Sequence, residues 1–352
     1  MASDYDEVIS ARNSGNYEKA IQLLERLAKT ADAWAQTELG EMHARGEGMD
    51  QNHSEAVYWY EQAAKKGHAP AEFNLGLSYD NGWGVTADKE TAMYWYLQAA
   101  NKGLPAAQYN LASAYRTGQG AEKNLSEAFK WLKRAADAGL EQAHYNLGHM
   151  YFDGLGTDQN FAAALDSYYE AARQGHSDAQ LCIANIHKNG NGVEINLEEA
   201  AIWYRMAAEN GNSKAQFNLA LCYRNGEGVE ADDYWAVVWY EMAAEKGYAL
   251  AQFNLGLHYD NGVGVDQDHN EAFRLYTLAA KNGITEAQVA LAAMHGLGKG
   301  TVENLIDSYM WLTIAIETGR SEIAQKYRDE ITSAMTEEEI ITAKNNAKTQ
   351  FS

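Results

Sequence analysis

The sequence predicts an all-α solenoid of tandem 36-residue helix-turn-helix repeats. Three observations predict it: a pair of glycines recurring at one interval, a helix-capping residue at a fixed distance behind each pair, and apolar residues at helical spacing on both sides.

The glycines come first. Glycine inside a helix costs about 1 kcal/mol relative to alanine, so the 30 glycines of a chain with only 2 prolines belong at turns. Glycine, any residue, glycine occurs at Gly46/Gly48, Gly82/Gly84, Gly118/Gly120, Gly154/Gly156, Gly190/Gly192, Gly226/Gly228, Gly262/Gly264 and Gly298/Gly300. Each step is 82 − 46 = 36 residues, with no insertion.

Four residues past the second glycine stand Asn52, Asp88, Asn124, Asn160, Asn196, Asp232, Asp268 and Asn304, and Asn16 fits one period earlier. Short side-chain oxygens there read as N-caps for the orphan N–H groups of a first helical turn. Glu55, Glu127, Glu199 and Glu271, three residues on, are expected to complete capping boxes. Behind the cap the second helix of the unit, helix B, carries Ala92, Trp95, Tyr96, Ala99 and Ala100, and Gly103 ends it. Gly67, Gly139, Gly175, Gly211, Gly247, Gly283 and Gly319 are expected to do the same elsewhere.

Helix A, which precedes each glycine loop, reads Ala71, Phe73, Leu75, Gly76, Leu77 and Tyr79. Small residues at Gly76, Ala112, Gly148, Ala184, Ala220, Gly256 and Ala292 allow the two helices of a pair to approach closely. Large rings, Trp95 and Trp239 among them, are expected to fill the core between pairs. One pair cannot bury its apolar faces alone, so neighbours must stack. The segmentation is an N-terminal partial repeat or cap over 1–31, eight repeats over 32–319 and C-terminal capping helices over 320–352, where Thr336 and Glu339 form a capping box.

Stretches such as Ala71-Glu-Phe-Asn-Leu-Gly-Leu-Ser-Tyr79, Gly82-Trp-Gly-Val85 and Met93-Tyr-Trp-Tyr-Leu-Gln-Ala-Ala100 resemble the Sel-one-like repeat (SLR) family, relatives of tetratricopeptide repeats. The resemblance runs from about residue 16 to residue 319. It implies a right-handed superhelix with helix A lining the inner surface and helix B the outer, and an adaptor or scaffold that binds a protein or peptide. Members of the family do so in bacterial envelope, secretion and host-contact systems and in eukaryotic quality control. Departures from the pattern are His43, His187 and His295 at the helix A tyrosine, and Ser167 and Leu275 at the helix B tryptophan.

Charge narrows the partner. With 49 acidic and 28 basic side chains the net charge is −21, which opposes attraction to nucleic acid or anionic lipid. No apolar run reaches the roughly 18 residues of a membrane span, and Met1 to Ser10 lacks the basic start and apolar centre of a secretion signal. The chain is expected to be soluble and monomeric, either in the bacterial periplasm or medium after loss of a signal, or in the cytoplasm. Cys182 and Cys222 fall at non-equivalent positions of neighbouring repeats, which disfavours a disulfide.

Reactive chemistry finds little support. His43, His187 and His295 lie whole repeats apart and read as packing residues rather than metal ligands. Asp266, Asp268 and Asn270 imitate the start of a calcium loop but lack its glycine and bidentate glutamate, so Asp268 reads as an N-cap. No G-x-G continues to Gly-Lys-Ser/Thr, and Gly298-Lys299-Gly300 is the one basic example. No nucleophile elbow occurs, and carboxylates are expected mainly at caps and solvent-facing positions. No catalytic residue, cofactor or metal is assigned.

The candidate binding surface is the inner face that the resemblance implies. One inward column is Phe73, Tyr109, Tyr145, Leu181, Phe217 and Phe253, and one turn on lie Leu77, Ser113, His149, Asn185, Leu221 and Leu257. Rings and aliphatic anchors of this kind make hot spots, and they equally make helix packing. A third column varies: Asp80, Arg116, Phe152, Lys188, Arg224 and Asp260. Arg116, Lys188, Lys214 and Arg224, with Asn185, Asn189 and Asn225, can grip a carboxylate, as similar residues do in tetratricopeptide clamps, or form an ordinary solvated face. The general reading is a protein-binding scaffold. The narrower one is an immunity-type or virulence-associated protein that sequesters a toxin, effector or host protein. A peptidoglycan or glycan module needs rings outside the packing columns.

Overall fold

The computed structural model describes residues 4–319 and 321–350; residues 1–3, 320, 351 and 352, which fall in the predicted terminal segments, lie outside the described residues. Among the described residues there are 20 α-helices and no strand. Residues 1–174 form one compact unit and residues 175–352 another. The first holds α1 (Asp4–Asn13), α2 (Tyr17–Lys29), α3 (Ala33–Arg45), α4 (His53–Ala64), α5 (Ala69–Asn81), α6 (Lys89–Asn101), α7 (Pro105–Thr117), α8 (Leu125–Asp137), α9 (Glu141–Asp153) and α10 (Phe161–Arg173). The second holds α11 (Ser177–Asn189), α12 (Leu197–Glu209), α13 (Ser213–Asn225), α14 (Asp233–Glu245), α15 (Ala249–Asn261), α16 (His269–Lys281), α17 (Thr285–Leu297), α18 (Leu305–Gly319), α19 (Glu322–Thr332) and α20 (Glu337–Thr349). In each unit every helix up to α18 packs on the next in sequence, the arrangement that tandem repeats predict.

All nine predicted caps are made. The side chains of Asn16, Asn52, Asp88, Asn124, Asn160, Asn196, Asp232, Asp268 and Asn304 accept backbone N–H bonds at 2.9–3.2 Å. The reciprocal half of the expected capping boxes is not made in the repeats. The N–H of each cap residue is already given to a helix A carbonyl, so Glu127 and Glu271 pair instead with Lys130 and Arg274, and Glu199 takes the Trp203 indole at 2.8 Å. Thr336 and Glu339 do form a full box at the start of α20.

The loop is built to a fixed length by a second recurring bond. Each cap residue from Asn52 to Asn304 donates its own N–H to the carbonyl nine residues back in helix A, at 2.8–2.9 Å, as Asp88 does to Tyr79. Both loop glycines are required. Gly82 closes α5 at φ 74°, and Gly84, also at φ 74°, rests on the backbone of His53 at the start of α4, where a Cβ would overlap the carbonyl. The tight turn after helix B uses glycine in the same left-handed region, as at Gly103, φ 86°. Gly319 departs from expectation: it is the last residue of the longer helix α18 and closes against Thr285.

Trp95 and Trp239 lie between pairs as expected, Trp131 and Trp311 of the same column are buried, and within each pair the buried ring is mostly a tyrosine. Tyr60, Tyr96, Tyr168, Tyr204, Tyr240 and Tyr276, one position past the tryptophan column, are all buried. Each lies under the small helix A residue of its own repeat; a Cβ on Gly76 or Gly256 would meet the Tyr96 or Tyr276 ring at 2.7 Å. Trp95, Trp203 and Trp239 are only half-buried. Trp95 packs back onto the core of α4 and α5, and Trp239 onto that of α11 to α13. The indole therefore joins successive repeats, whereas the tyrosine holds each pair together.

A buried polar column, missed in the sequence, joins repeats as well. Gln36, Gln108, Gln216, Gln252 and Gln288 of helix A each donate Nε2 to the carbonyl eight residues back, at the end of the preceding helix B, at 3.1–3.2 Å. The carbonyls of a helix C-terminus have no partner inside their own helix, so this side chain satisfies one at each junction. Glu72 occupies the same place in α5, buried, and contradicts the expectation that carboxylates stay at caps and surface. It is paired with Lys102, as a buried charge must be.

The ends depart from the repeat. α1 and α2 form a short pair joined through Gly15, with Val8, Ala20 and Leu24 buried against α3. At the other end α19 and α20 both pack on α18, and Ala324, Ala343 and Ala347 cover its apolar side.

Candidate functional site

The helix A columns are placed by the same repeat that builds the core, and each ring is half-buried. In residues 1–174, Phe73 lies 5.9 Å from the Tyr96 ring, the Tyr109 hydroxyl accepts from Asn146 at 3.0 Å, and Tyr145 sits between His149 at 4.7 Å and Tyr168 at 6.2 Å. Phe152 meets Phe161 edge-on at 5.1 Å. In residues 175–352, Leu181 is buried, Phe217 lies 5.8 Å from Tyr240 and 5.3 Å from Tyr248, and Phe253 lies 5.8 Å from Tyr276. Leu77, His149, Asn185, Leu221 and Leu257 are half-buried beside them. Phe73, Tyr145, Phe217 and Phe253 each lean on a core tyrosine and stay half-buried.

The variable column divides sharply. Lys188 is taken up within the chain: its Nζ lies 2.9 Å from Glu227, which also accepts from Asn225 at 3.1 Å. Those hydrogen bonds, that of Lys188 foremost, hold the Glu227 carboxyl below its ordinary range. Asn185 accepts the Tyr204 hydroxyl at 2.7 Å. Asp80 pairs with Lys89 at 2.6 Å, and Asp260 stands 2.8 Å from Lys299 and 3.0 Å from the His269 ring nitrogen, at ion-pair distance. Lys299, the basic residue of the last glycine loop, is therefore held by a carboxylate. Arg116 and Lys214 are exposed and make no ion pair among the described residues. Arg224 is exposed and donates to Asn254 at 2.9 Å and to Asn225 at 3.3 Å, two of its five N–H donors.

Open space separates the two basic stretches. A recess of about 200 Å³ between α13 and α15 is lined by Arg224, Asn254, Leu257, His258, Asn261 and Val263, with Asp233 at the start of α14 on its edge. The recess beside Arg116, with Tyr109, Ser113 and Asn146, holds only about 20 Å³. Sequence columns could not show this, because the depth depends on how far neighbouring side chains lean across the groove.

Other predicted chemistry resolves into structure. Asp268 accepts the N–H groups of Asn270 and Glu271 as a cap. His295 packs edge-on against Phe273 at 5.1 Å, and burial lowers its pKa. No disulfide joins half-buried Cys182 and buried Cys222. Among the described residues no three His, Cys, Asp or Glu side chains are placed to hold a metal ion, and no helix is long and apolar enough to cross a membrane. Tyr58, Tyr94 and Tyr234 are exposed rings outside the packing columns. Sequence reasoning missed the buried glutamines, although the recurrent Ala-Gln pair in helix A was a signal for them. It also missed a cleft between α14 and α16 taken up below.

Comparison with known proteins agrees with this architecture. The Sel1 repeat model matches residues 14–29, 35–68, 69–104, 105–140, 141–176, 177–212, 213–248, 249–284 and 285–319. A Sel1 repeat protein from Oxalobacter formigenes is 29% identical, with a TM-score of 0.72, over 94% of this chain and 95% of that one. A protective antigen of uropathogenic Escherichia coli strains, displaying an SLR fold, is 27% identical, with a TM-score of 0.61, over 99% of this chain and 84% of that one. No match was found among curated proteins. Proteins built from Sel1 repeats generally mediate protein–protein interaction and are scaffolds of a non-catalytic type. Nine matched segments covering most of its length, on a framework of recurring caps, glycine loops and tyrosine cores, place this chain in the Sel1 repeat family.

Proposed function

We propose that the chain is a protein-binding scaffold, not an enzyme, and that it holds its partner on the helix A face of residues 175–352. The observation that carries this reading is Arg224, exposed at the rim of the recess between α13 and α15 with Leu257 beside it. A partner carboxylate docks on the guanidinium, and an apolar side chain enters the recess beside Leu257 and Val263, with the half-buried Phe217 and Phe253 on the same helices. Lys214 adds a second cation from the first turn of α13. Arg116, Phe73 and Tyr109 in residues 1–174 extend the same kind of surface. Phe152, Lys188 and Asp260 support it by fixing their neighbours. The net charge of −21 favours a partner that is basic overall, which suits capture of a toxin, effector or host protein.

Affinity capture from the source cell, comparing wild type with Arg224→Glu/Lys214→Glu, tests the reading. The control is Lys65→Glu/Lys281→Glu, both exposed and outside the helix A columns. The helical spectrum should be the same in all three, since exposed charges contribute little to stability. Recovery of a partner by wild type and by the control, with about tenfold loss in the Arg224/Lys214 variant, supports the helix A face. Loss in the control alone, or equal loss in both, contradicts it.

A further inference from the structure

The seventh repeat carries an unfilled place on its B helices. A cleft of about 330 Å³ opens between α14 and α16 over α15, with Glu241, Glu245, Gln252, Tyr259, Leu275 and Leu278 among its walls. Its cause is a substitution. Trp95 and Trp239 pack on the preceding repeat from the position that Leu275 holds in α16; Leu275, buried in the core of α13 to α15, is smaller than the indole it replaces.

At the floor lies Gln252, 4% exposed, whose Nε2 donates to the Ala244 carbonyl at 3.2 Å and whose Oε1 has no hydrogen-bond partner. A buried acceptor left unpaired costs about 1–3 kcal/mol; Gln108 Oε1 and Gln216 Oε1 are left unpaired in the same way, and of the three Gln252 is the one that lines this cleft. The first two repeats show which donor fits. There the ammonium of Lys66 bonds Gln36 Oε1 at 2.7 Å, and the ammonium of Lys102 bonds Glu72. The residue equivalent to Lys66 and Lys102 in the seventh repeat is Asn282, whose amide is spent on the Leu278 carbonyl at 2.9 Å.

Charge points the same way. Three carboxylates, those of Glu241, Glu245 and Glu271, line the cleft against one cation, Arg274, which is paired with Glu271 at 2.8 Å. Glu241 accepts the Tyr259 hydroxyl at 3.0 Å, so the phenol orients one carboxylate without neutralising it. Ala244, Leu255, Leu275 and Leu278 supply an apolar wall against which an alkyl stem can lie while its charged head meets the carboxylates.

We propose that this cleft binds an alkylammonium group, the end of a lysine side chain or of a free aliphatic amine, with Gln252 Oε1, Glu241 and Glu245 as acceptors. The site lies between the B helices α14 and α16 over α15, and its lining shares no residue with the recess at Arg224. Its volume of about 330 Å³ admits such a chain with room for water beside it.

Ligand-observed NMR on the full chain tests it with two probes, n-butylammonium and Nα-acetyl-lysine methylamide, and with the Nε-acetylated form of the latter as the uncharged control. Binding with a Kd of about 1 mM or tighter is expected for at least one charged probe, and none for the control. Leu275→Trp, which places the indole of other repeats in the gap, and Asn282→Lys, which supplies the ammonium of the first two repeats, should each weaken binding at least tenfold while the fold is retained. Tighter binding of blocked lysine assigns the cleft to a protein side chain, and tighter binding of butylammonium assigns it to a free amine. Failure of both charged probes to bind, or binding unmoved by both substitutions, overturns the proposal.

Discussion

The second repeat, residues 69–104, and the seventh, residues 249–284, share 19 of their 36 residues and differ where it matters for binding. Phe73 and Phe253, Gly76 and Gly256, Tyr79 and Tyr259, Asp80 and Asp260, and Tyr96 and Tyr276 occupy equal places. Their cores match accordingly: the ring pairs Phe73–Tyr96 and Phe253–Tyr276 stand at 5.9 and 5.8 Å. Yet Glu72 is paired with Lys102 while Gln252 keeps an unpaired oxygen above Asn282, and Trp95 is replaced by Leu275. Repeats that share a core are thus free to differ at their junctions, and a cleft appears where both a ring and a lysine are missing.

The largest effect should come from the tyrosines. Tyr96→Ala and Tyr276→Ala each remove a buried ring from under a glycine, where no side chain can collapse into the space, and should cost about 3–5 kcal/mol in urea denaturation. Trp95→Ala should cost less than Tyr96→Ala, because the indole is half-buried. The reverse order would return the indole to the centre of the pair.

Lys102 sharpens the contrast. Lys102→Ala strands the buried Glu72 carboxylate and should cost about 2 kcal/mol, whereas Asn282→Ala should cost well under 1 kcal/mol, since Gln252 has no bond to lose. Equal costs would mean that the two junctions are energetically alike. Smallest and most uniform are the caps: Asp88→Ala and Asp268→Ala should each cost about 1 kcal/mol, and a marked difference between them would show that the two helices are not built alike.

Much of this was legible in the sequence because it rests on local rules. Asn160 and Asp232 could be read as caps, and Gly82 and Gly84 as loop residues, since a backbone N–H or a positive φ sets the requirement within a few residues. What escaped depends on partners about 30 residues away. Lys66 meets Gln36 and Lys188 meets Glu227 only after helices have packed, so neither pair announces itself in a column. Trp95 and Trp239 lie between pairs as their column predicts, but which members of that column bury fully, Trp131 and Trp311 rather than Trp95 and Trp239, only stacking decides. Gly319 misled because its neighbours no longer repeat, and α18 runs on to meet α19 and α20.

Hydrogen–deuterium exchange of the chain with and without its captured partner tests the central claim most directly. Amides near the C-termini of α13 and α15, around Arg224, Leu257 and Asn261, should gain protection on binding, while those at the centres of α12 and α14 remain as they were. Protection confined to α12, α14 and α16, with α13 and α15 unchanged, would contradict the assignment of the partner to the helix A face.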